Sequence, residues 1–440
     1  MSRRRPPSAR ALAVLTLRDI ERREGFSNRI LSERLERSPT LSTRDRGLVT
    51  TLVYGALRHR ARLDWHVNAA ARQPKKIKGT LRETLRVAAF ELLELERPLR
   101  VAASEACKTA GSLQQGGNLR GLITAILAEI ERSAGARERE LADGDDMVAR
   151  LQHRWSIPTW IATRWSDALG PKAALTRAEV LSQPPSIDLR VDSHRIQTRD
   201  AMEALQAEIP DAHVETVEGF PGSLRVRGGG DLFFGPLHEQ GLISVQGLGS
   251  QQAAMLLAPR PGQHVLDACA GHGGKTSQLA ELMQRQGSIT MVEPNEQRVE
   301  AQSSAVARSR LDAEGLSITR HHCLLADMPP PARPFDAILV DAPCTGLGDL
   351  ARHPELRWNR READLARNVT LQRALLRTAT QHLAEDGSLV WSVCSLEPEE
   401  GLQLVTGEAE GLGLLVEDTV TLTPEQHGCD GFFAARLRRR

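Results

Sequence analysis

The chain has 440 residues, 40% hydrophobic and 26% charged, with a formal net charge of +1, which excludes a disordered chain and leaves room for two to four domains. It has no apolar run long enough to span a membrane, and its opening MSRRRPPSAR lacks the apolar stretch and cleavage site of a secretory signal, so a cytoplasmic protein with no membrane association is expected. Six cysteines, Cys107, Cys269, Cys323, Cys344, Cys394 and Cys429, occur with no CxxC pair and no His cluster at ligand spacing; neither a disulfide framework nor a metal site is expected.

The near-neutral total conceals an asymmetry. Residues 1–134 carry 26 Lys and Arg against 14 Asp and Glu, a net of +12, which leaves the remainder at −11. The basic runs RRR at 3–5, RHRAR at 58–62 and KKIK at 75–78 form the footprint expected for a phosphate backbone, although a solvated Arg-rich surface would read the same way.

In chain order, apolar residues recur at three and four spacings in ARALAVLTLRDIE, RGLVTTLVYGALR, LRETLRVAAFELLEL and NLRGLITAILAEIER, which predicts an all-helical domain over residues 1–140. A helical stretch with WSIPTWIATRWSDALG follows, then SIDLRVD and SLRVRGG alternate like strands around the helical RDAMEALQAE; residues 148–238 are expected to form a small α+β linker domain. From 240 to 440 the strand-length runs HVLDACA, SITMVEP, FDAILVDAP and GSLVWSVCS alternate with helical stretches. That alternation predicts a doubly wound, Rossmann-like α/β domain with ligands beyond the carboxyl ends of its strands.

The chemistry gathers at those ends. HVLDACAGHGGKTSQLAEL reads as a strand, a turn through Gly271, Gly273 and Gly274, and a helix, so backbone amides face whatever binds the turn. The spacing fits neither a phosphate loop nor GxGxxG. The next strand ends in Glu293, an acid suited to ribose hydroxyls, and LLADMP offers Asp327 beside an adenine. Cys344, in DAPC after Asp341, and Cys394, after LVWSV, both follow buried-strand runs. A cysteine on an apolar strand is usually a core residue. A pair at adjacent strand ends could be activated by helix-start amides or by cations, and Arg352, His353 and Arg357 lie just downstream.

DACAGHGGKT, DAPCTGLGDLARHPELRW, SVCSLEPEE and the terminal DGFFAARL together resemble the RNA cytosine-C5 methyltransferases. The basic helical region, with LRVAAFELLELERPLRVAASEACKTA and NLRGLITAILAEIER, is similar to the NusB-like RNA-binding domain of bacterial members that methylate 16S ribosomal RNA at the cytosine usually numbered 967. The resemblance implies S-adenosylmethionine as cofactor, 16S ribosomal RNA as partner and a monomer. It also implies roles. Cys394 is the nucleophile that adds to carbon 6, Cys344 assists product release, Asp341 holds or protonates the ring, and Lys275 lies near the reacting centre. Cys269, Ala270, Gly271, His272, Gly273, Gly274 and Lys275 form the cofactor turn, with Glu293 on the ribose, Asp327 beside the adenine and Asp341 next to the sulfonium. Two thiols suit this chemistry, because carbon 5 of cytosine must first be made enamine-like and must later lose its proton.

The chain departs from the family pattern at several points: Gly271-His272 stands for Ala-Pro, Gly247 for an acidic residue, Gly401 for Asn, and Trp391 and Val393 for Tyr and Thr. A transfer-RNA or 23S enzyme of the same family is the alternative substrate reading, and a non-catalytic NusB-like RNA-binding protein the alternative in another class. The basic extension argues against the first, and retention of both cysteines against the second.

Overall fold

In the computed structural model, residues 7–113, 119–228, 235–311 and 315–440 are described; the basic run at 3–5 lies outside them. The chain divides into two units, residues 1–184 with 350–362, and residues 185–349 with 363–440.

In the first unit the three- and four-residue periodicity becomes helices Ala9–Arg23, Ser27–Glu36, Thr43–Arg58, Arg60–Ala70, Gly79–Leu93, Leu99–Ser112 and Arg120–Asp143. Ser8 and Ser42 cap two of them, accepting from Ala11 N and Asp45 N, which satisfies amides with no partner inside the helix. Each helix turns one stripe inward: Val49, Leu52, Val53 and Ala56, and Ile123, Ile126, Leu127 and Ile130, are at most 2% exposed. Full burial of such an aliphatic side chain contributes about 1.5–3 kcal/mol. Gly55 has a packing reason, since a Cβ there would stand 2.1 Å from Phe90 Cζ. Helices Met147–Trp155 and Thr159–Leu181 follow, the second broken where Gly170 turns to φ 74 ahead of Pro171.

Segment 350–362 belongs to this helical unit although its sequence lies inside the C-terminal region. The fully buried Arg357 donates from Nη1 to Arg58 O (3.1 Å) and Trp155 O (3.0 Å) and from Nη2 to Leu181 O (2.7 Å). Burial, then the neighbouring Arg58, pulls its pKa down to about 9. Glu355 accepts from Ser27 N at 2.9 Å and Ser27 Oγ at 2.7 Å, and Trp358 Nε1 donates to Leu57 O at 2.9 Å. His353 pairs with Glu355. Arg357 thus spends its two terminal nitrogens on carbonyls of the helical unit.

The second unit holds two sheets. Strands β1 (Ile187–Val191), β2 (His213–Thr216), β3 (Ser223–Arg227) and β4 (Ile243–Val245) pair antiparallel in the order β2-β3-β1-β4. Strands β5 (His264–Asp267), β6 (Gly287–Val292), β7 (Leu316–His321), β8 (Phe335–Asp341), β9 (Leu383–Val393), β10 (Leu414–Leu422) and β11 (Phe432–Arg439) form a seven-stranded sheet in the order β10-β11-β9-β8-β5-β6-β7. Strands β5 to β9 run parallel and β10 and β11 antiparallel at one edge. The parallel strands bury both faces: Ala337 to Val340 and Leu389 to Val393 are at most 1% exposed, as expected for strands covered by helices. Order reverses at β5, between β6 and β8, which opens the crevice of such sheets at the carboxyl ends of those strands. The small sheet is tied to this domain by Arg190, which pairs with Glu281 and donates to Gln246 Oε1 at 2.7 Å and Ser277 Oγ at 2.6 Å. No helix among the described residues is long and apolar enough to cross a membrane.

Candidate functional site

β5 ends in Asp267 and the chain turns through Cys269, Ala270, Gly271, His272 and Gly273 into helix Gly274–Leu282. Gly271 and Gly273 lie at φ 56 and 87, the left-handed region where glycine carries no Cβ penalty. The turn is anchored to the end of β6: Glu293 is buried and its two oxygens accept from Gly271 N at 3.0 Å and Asn295 N at 2.9 Å, while Gln302 Nε2 donates to Gly271 O at 2.8 Å. Asp327 closes a short turn after β7 and is exposed. Cys269 is half-buried, and burial followed by the Asp341, Asp267 and Glu293 carboxylates raises its pKa, so it stays a thiol.

Asp267 escaped the reading of the sequence although it ends the strand in DACAG. Its side chain is fully buried, with Oδ2 accepting from Thr276 Oγ1 at 2.7 Å and Oδ1 without a partner. Burial pushes its pKa up to about 6 despite the Thr276 hydrogen bond and the nearby Lys275 charge.

Lys275 points from the helix start to the end of β8, donating to Asp341 Oδ2 at 2.6 Å and Ser250 Oγ at 3.0 Å. Burial alone would lower its pKa; the Asp341 charge and hydrogen bond more than offset this, and the net shift is upward. Lys275 is the cation of this site. Ser392 Oγ donates to Asp341 Oδ1 at 2.9 Å, so both carboxylate oxygens are held. Ser250 sits on helix Leu248–Leu257, whose N-cap is Gly247. A Cβ at Gly247 would lie 3.7 Å from Asp430 Oδ2, so an acidic side chain here would face another carboxylate.

Cys344 and Cys394 meet. β8 and β9 are parallel neighbours with Asp341 opposite Ser392, and the loops leaving them bring the two Sγ atoms to 3.3 Å. Both thiols are half-buried. The contact with Cys344 first, then burial and the Asp349 and Asp341 charges, raise the Cys394 pKa well above the ordinary thiol value. Cys394 therefore rests as a protonated thiol, and its activation awaits a change in this environment. The structure thus joins Cys344 with Cys394, and Lys275 with Asp341, at the ends of two adjacent strands. The Cys269–Gly274 turn and Glu293 form a second cluster at the ends of β5 and β6.

Residues 254–438 match the family described as 16S rRNA methyltransferase RsmB/F, and residues 7–132 match the NusB family. The chain is 30% identical to the "Probable ribosomal RNA small subunit methyltransferase B" of Synechocystis sp., covering 98% of this chain and 99% of the relative. The chain belongs to the RsmB/F family of 16S rRNA methyltransferases. The ribosomal RNA small subunit methyltransferase B of Enterobacter sp. is 30% identical across 90% of this chain and 91% of its own. Among solved structures, the protein PH0851 superposes with a TM-score of 0.79 over 99% of both chains at 22% identity, a likeness of fold. A methyltransferase homolog from Pyrococcus horikoshii covers 68% of this chain and 100% of its own, with a TM-score of 0.59 and 26% identity. The NusB match lies on the N-terminal helices, and the RsmB/F match spans the Rossmann-like sheet.

Proposed function

We propose that this chain transfers a methyl group from S-adenosylmethionine to carbon 5 of a cytosine in 16S ribosomal RNA through a covalent adduct of Cys394 at carbon 6. The observation that carries this reading is the 3.3 Å approach of the Cys344 and Cys394 sulfurs beside the Lys275–Asp341 pair. The family description, which names 16S rRNA, supports the substrate.

The crevice fits the cofactor. A Cβ at Gly271 or Gly274 would meet nothing within 4 Å, so the turn leaves space beside its amides. Asp267 Oδ1 is a buried acceptor without a partner, suited to an ammonium group. Residues Cys269 to Lys275 with Asp267, Glu293, Asp327 and Asp341 would hold the molecule, which when bound supplies an electrophilic methyl group on a sulfonium.

The chain's own residues do the rest. Cys394 passes its proton by way of the Asp341 carboxylate to the ring and its sulfur bonds to carbon 6, which moves the electron pair of the 5,6 double bond to carbon 5. Asp341, fixed by Lys275 and Ser392, holds the ring as it takes up a proton. Once carbon 5 carries the methyl group, its proton passes to Cys344 acting as a thiolate, the electrons of that carbon–hydrogen bond restore the 5,6 double bond, and the carbon–sulfur bond breaks with its electron pair leaving on Cys394, which takes back the ring proton. The basic residues of 1–140 and the α+β region 148–238 hold the flanking RNA with the cytosine out of its stack.

Bisulfite sequencing of total RNA from cells with and without the gene tests the reading. A 16S cytosine that is protected only when the protein is present is expected. Protection confined to transfer RNA or 23S RNA would refute the substrate, and no change at any cytosine would refute the chemistry.

A further inference from the structure

Glu400 is fully buried, lies six residues beyond Cys394, and has no part in the chemistry above. Its Oε1 accepts from Thr345 N at 2.8 Å and Gln372 Nε2 at 3.1 Å, and its Oε2 accepts from Thr345 Oγ1 at 2.5 Å. Thr345 directly follows Cys344. Gln372 Nε2 also donates to Pro343 O at 2.9 Å, on the other side of that cysteine, so the two residues flanking Cys344 are both tied into the Glu400 cluster. Trp391 Nε1, inside β9, donates to the backbone carbonyl of Glu400 at 3.1 Å, which fixes the main chain that carries this carboxylate. Thr345 Oγ1 and Ser395 Oγ approach to 3.3 Å, and Gly348 N donates to Cys394 O at 3.0 Å. The Cys344 loop is therefore pinned to the Cys394 loop on both sides of the thiol pair.

A buried carboxylate whose donors here are all neutral is costly unless those hydrogen bonds are kept. A neutral amide or an apolar side chain would fill the same space at less cost. What the carboxylate adds is two acceptor oxygens in a fixed fork, one for the backbone and one for the hydroxyl of a single residue, which leaves Thr345 one orientation and Cys344 one position.

We propose that Glu400 is a positioning residue for product release, acting through Thr345 to hold Cys344 against Cys394. The proposal rests on the two-thiol reading above. It separates the two half-reactions: adduct formation needs Cys394, which directly follows β9 and whose own carbonyl is held by Gly348 N, whereas release needs Cys344, whose neighbour Thr345 the Glu400 carboxylate holds directly. Displacing a reacting group by about 1 Å can cost roughly 100-fold in rate.

The test follows the denaturation-stable protein–RNA adduct with time in the full-length protein. Glu400→Ala is expected to form adduct within about threefold of the wild-type rate and to resolve it roughly 10- to 100-fold more slowly. Glu400→Gln should be rescued to within about fivefold, because its carbonyl still accepts from Thr345 N and the Thr345 hydroxyl can turn to accept from the amide. Should Glu400→Ala fail to fold, Thr345→Val against Thr345→Ser reads the same contact, with slow release in the first and normal release in the second. In a Cys344→Ala background, Glu400→Ala should change release less than twofold, since its effect runs through the missing thiol. Equal slowing of formation and release, no slowing, or a full further effect without Cys344 would overturn the proposal. If Cys344→Ala accumulates adduct and Glu400→Ala does not, the Glu400 role alone falls; if Cys344→Ala itself accumulates none, the two-thiol reading falls and takes this proposal with it.

Discussion

Asp267 should make the catalytic unit less stable as the solution is made less acidic, and Asp267→Asn should remove that dependence. The buried carboxyl has its pKa raised from 3.8 to about 6, chiefly by burial. Between those values the folded state holds a proton that the unfolded state has released, so stability falls as pH rises through this window and levels off above it. The difference of about 2.2 pH units corresponds to about 3 kcal/mol at pH 8. Asparagine keeps an oxygen for Thr276 Oγ1 but places an amide where Oδ1 had no partner, at a cost of about 1–2 kcal/mol. The variant should therefore be about 1–2 kcal/mol more stable than the wild type at pH 8 and about as much less stable at pH 4. Denaturant midpoints between pH 4 and 8, with hydrogen exchange on β5 and β8 to follow the right unit, measure this. A stability difference that stays constant across the range would refute the buried, uncompensated charge. The same substitution should weaken cofactor binding, which is the usual exchange of stability for a site.

Gly55→Ala should destabilise the helical unit by about 1–3 kcal/mol, because the new methyl would stand 2.1 Å from Phe90 Cζ; a melting temperature equal to the wild type would contradict that packing. Reversing the exposed Lys75, Lys76 and Lys78 to Glu should weaken RNA binding and flatten its dependence on log salt by about 3 units, with cofactor affinity unchanged. An unaltered salt slope would show that these lysines do not meet phosphate. Reversal serves better than removing the N-terminal helices, since Arg357 donates to the carbonyl of Arg58 and Glu355 accepts from Ser27, so a truncated chain would leave segment 350–362 without its partners.

The parallel strands of the Rossmann-like sheet can be read from the sequence because each is an apolar run closed by a small or polar residue, and that pattern is local. β10 and β11 are less visible: Glu417 and Asp418 interrupt the first, and it becomes a strand by pairing with its neighbour. β2 and β4 are four and three residues long, too short to show alternation. The turn from Cys269 to Gly274 and the paired cysteines Cys344 and Cys394 are visible because glycines and strand-end thiols announce themselves within a few residues. Asp267, Ser392 and Glu400 are not, since their importance lies in what they touch: Thr276, Asp341 and Thr345 are 9, 51 and 55 residues away in the chain. Arg357 misled for the same reason. Its nearness to DAPC in sequence suggested a cation for the thiol, whereas its guanidinium reaches carbonyls up to 299 residues away.

The division of labour between the two thiols is the centre of the account, and one measurement addresses it directly. Purified Cys344→Ala and Cys394→Ala proteins are incubated with S-adenosylmethionine and 16S ribosomal RNA and resolved under denaturing conditions. The account predicts a protein–RNA complex that persists with Cys344→Ala, with none formed by Cys394→Ala; a complex that persists with Cys394→Ala and is absent with Cys344→Ala would contradict it.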